Sequence, residues 1–307
     1  MLTILFDGVS YGMLLFILSC GLSVTLGVMN FINLAHGAFA MAGGYAAVIL
    51  VNRAGVPFLA ALPVTFAIVA VLGLVMERLL YSRVYTRSHL DQVLFSIGLV
   101  FMAMAIVDFT QGSQQQFIGL PDWLKTRFVM SDVSIGAYRL FIIVVCGFVA
   151  MALHLVLTRT RFGSRLRAAV DDPRVARGMG INVGAVFAVT FAVGSGLAGL
   201  GGALGTEILG MDPGFPLKFM VYFLIVVTVG GGSGIAGPFV VGPLAAALAG
   251  AGAGAAAGSG LGAIFGASTP HATVEKVQRD VDAGHIVVAL HAEADDITEA
   301  ETILHHG

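Results

Sequence analysis

The sequence predicts an all-α polytopic membrane protein with about seven to eight transmembrane helices and a small C-terminal α/β tail. Three observations carry this. Of the 307 residues, 57% are hydrophobic and 11% are charged, whereas a soluble domain carries about 25% charged residues. The mean hydropathy is +0.93. Apolar stretches recur at lengths near the roughly 20 residues that a helix needs to cross about 30 Å of hydrocarbon. The basic residues gather in alternate connections, which is how cytoplasmic loops are marked.

The candidate spans, in order, are 4–27, 31–51, 57–79, 92–111, 138–158, 184–206 and 218–235, with an eighth apolar stretch from 238 to 266. The connection 80–91 carries Arg83 and Arg87, with Arg78 just before it. The connection 159–183 carries Arg159, Arg161, Arg165, Arg167, Arg174 and Arg177. By contrast, 112–137 has only Lys125 and Arg127 as basic residues, beside Asp122, Trp123 and Asp132. The positive-inside rule places the first two connections in the cytoplasm and the third outside. Counting back puts the N-terminus outside. No basic residue precedes Arg53, so a cleaved signal peptide with a positive leader is not expected.

The first connection between spans holds an unusual group of polar residues. Asn30, Asn33 and His36 lie close together and are followed by the pair Gly43 and Gly44. A group that needs hydrogen bonds is costly at membrane depth unless it meets a partner or a water-filled path. Two readings follow, helix-end polar groups or residues of a translocation path. The position at a turn favours the helix-end role for Asn30 and Asn33 and leaves His36 as the path candidate. Further along, Gly201 and Gly205 are four apart, as are Gly194 and Ala198. That spacing puts small residues on one helix face, where neighbouring backbones pack closely.

The arginine-rich connection is too long and too charged for a simple turn. Residues 164–170 suit one short helix. Asp172 then reads as an N-cap, Pro173 as the first residue of a second helix, and Gly178 or Gly180 as its end. Such a pair of capped helices makes a cytoplasmic platform on which a partner can dock through Arg165, Arg167, Asp171, Arg174 and Arg177.

Several activities are excluded. No GxxxxGK[ST] loop is present, and none of Lys125, Lys218 and Lys276 follows a glycine, so nucleotide hydrolysis by that route is not expected. There is no HExxH helix. Gly231-Gly232-Ser233-Gly234 looks like the serine motif of rhomboid proteases, which also need a histidine base in a neighbouring span; the only histidines in the candidate spans are His36 and His154, the latter at a cytoplasmic helix end, and the protease reading is not favoured. No basic-aromatic surface suggests nucleic acid. Cys20 and Cys146 lie far apart in apolar segments and read as small apolar residues.

The chain changes character near residue 250. Residues 1–250 have a formal balance of +4, and residues 251–307 one of −6. Gly250, Gly254, Gly258, Gly262 and Gly266 recur every four residues, a glycine zipper along one helix face. Beyond Pro270, residues 272–283 suit a helix, 285–291 a strand and 296–305 a second helix. His271, His285, His291, His305 and His306 lie in this part without zinc-type spacing and read as surface histidines.

Residues 21–45, the arginine loop 159–180 and residues 230–242 (GGGSGIAGPFVVG) occur in this order. Together they resemble the LivH-type membrane permease of branched-chain amino acid ABC importers over about residues 1–245. Urea and short-chain amide permeases share the pattern. The resemblance implies a multi-pass protein of the bacterial inner membrane and no enzyme activity or cofactor on this chain. It also implies a second permease subunit, two cytoplasmic ATPase subunits that hold ATP and magnesium, and an extracytoplasmic substrate-binding protein. It makes the loop centred on 165–180 the element that takes up ATPase movement, and sets Asn30, Asn33, His36, Gly43 and Gly44 near the path. Such permeases normally continue after the GGGSG segment into further spans, so the permease domain 1–245 is expected to be incomplete at its C-terminal end. Residues 244–307 instead resemble the small glycine-zipper general-stress proteins, which makes 246–307 a separate piece. A different class of function is therefore a non-transporting membrane stress or scaffold protein that self-associates through the zipper.

Overall fold

In a computed structural model, the chain is described over residues 2–29, 33–85, 87–130 and 133–229. Asn30, the 230–242 segment, the glycine repeat and the predicted C-terminal α/β tail lie outside the described residues. Within them, α1 (Leu2–Met29) is followed by α2 (His36–Val48), which continues as a π-helical turn, Ile49–Arg53. Next come α3 (Phe58–Leu79), α4 (His89–Gln111), the short α5 (Asp122–Lys125), and strands β1 (Arg127–Met130) and β2 (Val133–Gly136). The chain continues as α6 (Ala137–Arg159), α7 (Arg161–Asp171), α8 (Pro173–Gly178), α9 (Val183–Leu209) and α10 (Phe215–Val229).

Five helical segments among the described residues are long and apolar enough to cross a membrane: Phe6–Ser23, Phe58–Arg83, Leu90–Gln111, Ala137–Arg159 and Val183–Leu209. The stretch 31–51 becomes the shorter α2 and its π-helical turn, because the chain turns before His36. The stretch 218–235 is represented by α10. The helix starts are set by side-chain caps. Ser88 accepts from the Asp91 N–H at the start of α4, and Asn182 accepts from the Ala185 N–H at the start of α9. Gly210, with φ of 68°, ends α9 in a left-handed conformation that a side chain would strain.

The central element is α9, which packs against α1, α2 and α3. Its middle is made of small residues, so three neighbours fit round one helix. Phe191, Ala198, Ala203 and Leu204 are buried there. In contrast, α4 and α6 turn large apolar side chains such as Phe101, Met102, Val144 and Phe148 outward. In a chain this apolar, that outward surface faces lipid or other membrane helices.

The connection 112–137 differs from its expectation as a plain loop. It contains α5 and an antiparallel hairpin in which Arg127 pairs with Gly136 and Met130 with Val133. The connection is also tied to the helix ends. Asn52 donates to the Phe117 carbonyl at 2.8 Å and accepts from the Gly119 N–H at 2.9 Å. Gln116 and Met211 exchange backbone hydrogen bonds of 2.8 and 2.9 Å. These contacts bring the end of α2, the end of α9 and the hairpin connection to one end of the bundle. The basic connections 80–91 and 159–183 are separated by two long helices, α4 and α6, which is the alternation that the distribution of arginines requires.

Candidate functional site

The predicted polar turn comes to rest in packed protein. Asn33 and His36 are both buried. The His36 Nε2 lies 2.8 Å from the Leu18 carbonyl oxygen of α1. Its ring also meets Phe223 of α10 edge-on, with centroids 6.4 Å apart. A single histidine thus touches α1, α2 and α10. Asn33 accepts a 3.0 Å hydrogen bond from the Tyr81 hydroxyl, just beyond the end of α3. The Tyr81 ring packs against Phe95 of α4 and Phe191 of α9. Asn33 and Tyr81 therefore fasten the α1–α2 turn to three other helices.

Replacing Tyr81 with Phe keeps those ring contacts and removes the hydroxyl, leaving the Asn33 oxygen without this donor. The expected loss of stability is about 0.5–2 kcal/mol, read as a lowered melting temperature in detergent. Tyr81→Ala also deletes the ring, and should cost about 3–5 kcal/mol.

The glycines of this region bring backbones together. A Cβ on Gly43 would meet the Gly199 backbone of α9, and one on Gly44 would meet the Met211 side chain. A Cβ on Gly21 of α1 would run into the Gly194 backbone and reach 2.7 Å from His36 Cε1. Gly201 faces Ile17 and Leu18 of α1, whereas a Cβ on Gly205 would meet only leucine side-chain tips, the nearest, Leu209, 3.3 Å away. Besides Gly201, an added Cβ would come within 3 Å of a neighbour at Gly196, Gly199 and Gly202, closest at Gly202. These last three form a three-residue repeat that the search for four-residue spacing passed over.

A second group is the pair of short helices α7 and α8, expected from the sequence to form a cytoplasmic platform. Helix α7 starts three residues earlier than the predicted 164–170, because the Thr160 hydroxyl caps it by accepting from the Gly163 N–H. Asp172 caps α8, accepting from the Arg174 N–H at 2.7 Å and the Val175 N–H at 3.0 Å, with Pro173 in the first turn. α8 ends at Gly178, and Gly180 follows with φ of 80°. Leu166, Ala169 and Ala176 bury the inner faces of both short helices against Leu157, Val183 and Val186. Arg167 donates to the Leu157 carbonyl, so it ties α7 to α6. The outer face presents Arg165, Asp171, Arg174 and Arg177. It also presents Val175 and Met179, which are 56% and 65% exposed. Val175 sits on α8 and Met179 directly after its end, four residues on, a spacing available in the sequence as the signal for an apolar contact among the arginines.

Among the described residues, no three His, Cys, Asp or Glu side chains come together as a metal site. Glu77 is a buried carboxyl at the end of α3, 3.7 Å from the Arg78 guanidinium and near Tyr85. Sequence reasoning did not single it out.

The model of the family described as "branched-chain amino acid transport system / permease component" matches residues 4–267. The chain belongs to this permease family. The permease is 27% identical over 254 residues to the high-affinity branched-chain amino acid transport system permease protein BraD of Pseudomonas aeruginosa, covering 78% of this chain and 82% of that protein. It is 25% identical over 220 residues to the permease protein LivH of Escherichia coli, covering 67% and 71% of the two chains. A probable LivH of Methanocaldococcus jannaschii is 28% identical over 207 residues, covering 66% of this chain and 65% of its own. No solved structure matches the permease. The family match includes the glycine repeat at 250–266. With five segments fit to cross a bilayer, the permease is a multi-pass integral protein of the inner membrane.

Proposed function

We propose that this chain is the permease subunit of an ATP-binding-cassette importer for branched-chain or other apolar amino acids. ATP is hydrolysed on two cytoplasmic partner subunits, substrate arrives on an extracytoplasmic binding protein, and a second permease subunit completes the path. The α7–α8 platform is the element that takes up ATPase movement. Its residues are Arg165, Arg167, Asp171, Asp172, Pro173, Arg174, Arg177, Gly178 and Gly180. Asn30, Asn33, His36, Gly43 and Gly44 lie near the path, and Asn33, His36, Gly43 and Gly44 hold its lining helices at their spacing.

The observation that carries this reading is the construction of α8. A six-residue helix is capped at its start and buried on one side, while its outer side carries Val175 among arginines, with Met179 exposed just past its end. A helix with no partner gains nothing from exposed Val175 and Met179, whereas a docked one buries them. Small rigid-body movements of such a helix are passed to α6 and α9 through the shared packing of Leu157, Leu166 and Val183.

The test is affinity purification of the tagged chain from its own cells, followed by reconstitution with the proteins that come with it. Recovery of an ATPase and ATP-dependent uptake of radiolabelled leucine are expected. Failure to recover an ATPase with the α7–α8 segment intact would remove the proposal. Uptake of urea or acetamide in place of leucine would move the substrate to the amide class.

A further inference from the structure

At the end of the bundle that carries the hairpin, a cleft of about 630 Å³ opens between the N-terminal part of α1, the hairpin connection, the start of α6 and the end of α9. That volume is within the roughly 300–1,000 Å³ of small-molecule sites. Its lining has three kinds of group. A carboxylate comes from Glu207 of α9, and cations from Lys125 and Arg127. Apolar wall comes from Leu120, Leu124 and Ile208.

The pairing within the cleft is uneven. Asp7 and Arg139 form an ion pair with each other across α1 and α6. Lys125 is 3.0 Å from Asp122. Glu207 is half-buried; the Lys125 charge acts on it across the cleft, but no hydrogen bond and no ion pair within 4 Å reaches its carboxylate from any described residue. Arg127 likewise has no carboxylate partner among the described residues. A half-buried carboxylate beside apolar wall is costly to leave unpaired, and a cation arriving there is worth more than in open water.

We propose that this cleft is a receiving site for a free zwitterionic amino acid on the outer side of the permease. Glu207 accepts hydrogen bonds from the α-ammonium, Arg127 donates to the α-carboxylate, and the aliphatic side chain lies on Leu120, Leu124 and Ile208. The site requires both charges of the zwitterion, so it discriminates against a molecule with only one. It rests on the proposed transport of apolar amino acids, and it adds a binding step on this chain between release from a binding protein and passage through the membrane.

The experiment measures binding of radiolabelled leucine by equilibrium dialysis to the assembled permease in nanodiscs, without binding protein. Leucine itself, leucinamide and 4-methyl-2-oxopentanoate serve as competitors. Only leucine is expected to displace the label well, the two single-charge analogues being about tenfold or more weaker. Glu207→Gln should weaken leucine by about the same factor and should narrow the gap between leucine and the oxo acid, which lacks the ammonium. Equal competition by all three compounds on the unaltered protein would overturn the site, as would no leucine binding at all. The analogue series needs no variant to fold. If Glu207→Gln leaves leucine affinity unchanged but weakens capture of the binding protein, the cleft is a docking seat and the proposal fails. Leucine uptake by the unaltered complex, measured alongside, separates failure of this site from failure of the transport function.

Discussion

Gly202→Ala is expected to destabilise the permease severely, and Gly205→Ala, three residues along the same helix, is expected to be tolerated. By helix propensity alone both changes should help, by up to about 1 kcal/mol each. The neighbours differ. A Cβ on Gly202 would enter the Ala40 carbonyl group of α2, with the Ala40 Cα 3.2 Å away. What it meets is backbone, which cannot swing aside as a side-chain tip does. α2 and α9 would have to separate, opening the paired contact of Gly43 on Gly199 and the seat of His36 beside Gly21 and Gly194. Overpacking of this kind costs about 3 kcal/mol or more, a large share of a total stability of about 5–15 kcal/mol. At Gly205 the nearest atoms are the Leu209 and Leu14 side chains at 3.3 and 3.6 Å, which can adjust. The readout is the yield and melting temperature of monodisperse protein after detergent extraction. Equal behaviour of the two variants would mean that α2 and α9 are not in backbone contact.

The same pair of glycines marks how far the sequence could be read. Helix positions were legible because the apolar lengths and the arginines state them independently, and the start of α8 follows from Asp172, whereas the Ser88 and Asn182 caps of α4 and α9 were not singled out. Which glycines touch which helix was not legible. Gly201 packs closely on α1 as its spacing suggests and Gly205 less so, while Gly199 and Gly202 press on α3 and α2 from other faces of the same helix. One helix surrounded by three others needs small residues on several faces at once, so a single four-residue stripe under-describes it. The hairpin of 127–136 also left little trace, since a four-residue strand in a mixed connection has no sustained alternation. The partners of Asn33 and His36 come from α1, the end of α3 and α10, and no local pattern names a contact made across 18 to 187 positions. The cleft at Glu207 was missed for the same reason, because its charges and its apolar wall come from four separate segments.

Reversing Arg174 and Arg177 to Glu is expected to leave membrane insertion and protein abundance unchanged while abolishing ATP-dependent uptake. The fold should not notice. Both side chains are exposed, and neither makes a hydrogen bond or ion pair with any described residue, so the change in stability should stay within about 0.5 kcal/mol. Topology should also hold, because Arg159, Arg161, Arg165 and Arg167 still mark the loop as cytoplasmic. The cap is kept as well, since Asp172 bonds to backbone N–H groups at 174 and 175 whatever their side chains. What changes is the face that α8 offers to the ATPase. Meeting an acidic or carbonyl-lined groove with two carboxylates costs several kcal/mol, so uptake should fall by about tenfold or more. Val175→Ser with Met179→Ser tests the apolar half of the same face and should weaken ATPase capture without touching charge. Arg167→Gln is the informative contrast. It breaks the tie between α7 and the Leu157 carbonyl, so its effect should appear in melting temperature as well as in uptake. If the Glu pair transports normally, α8 is not the docking element, and the six arginines of this loop serve only to fix which side of the membrane it occupies.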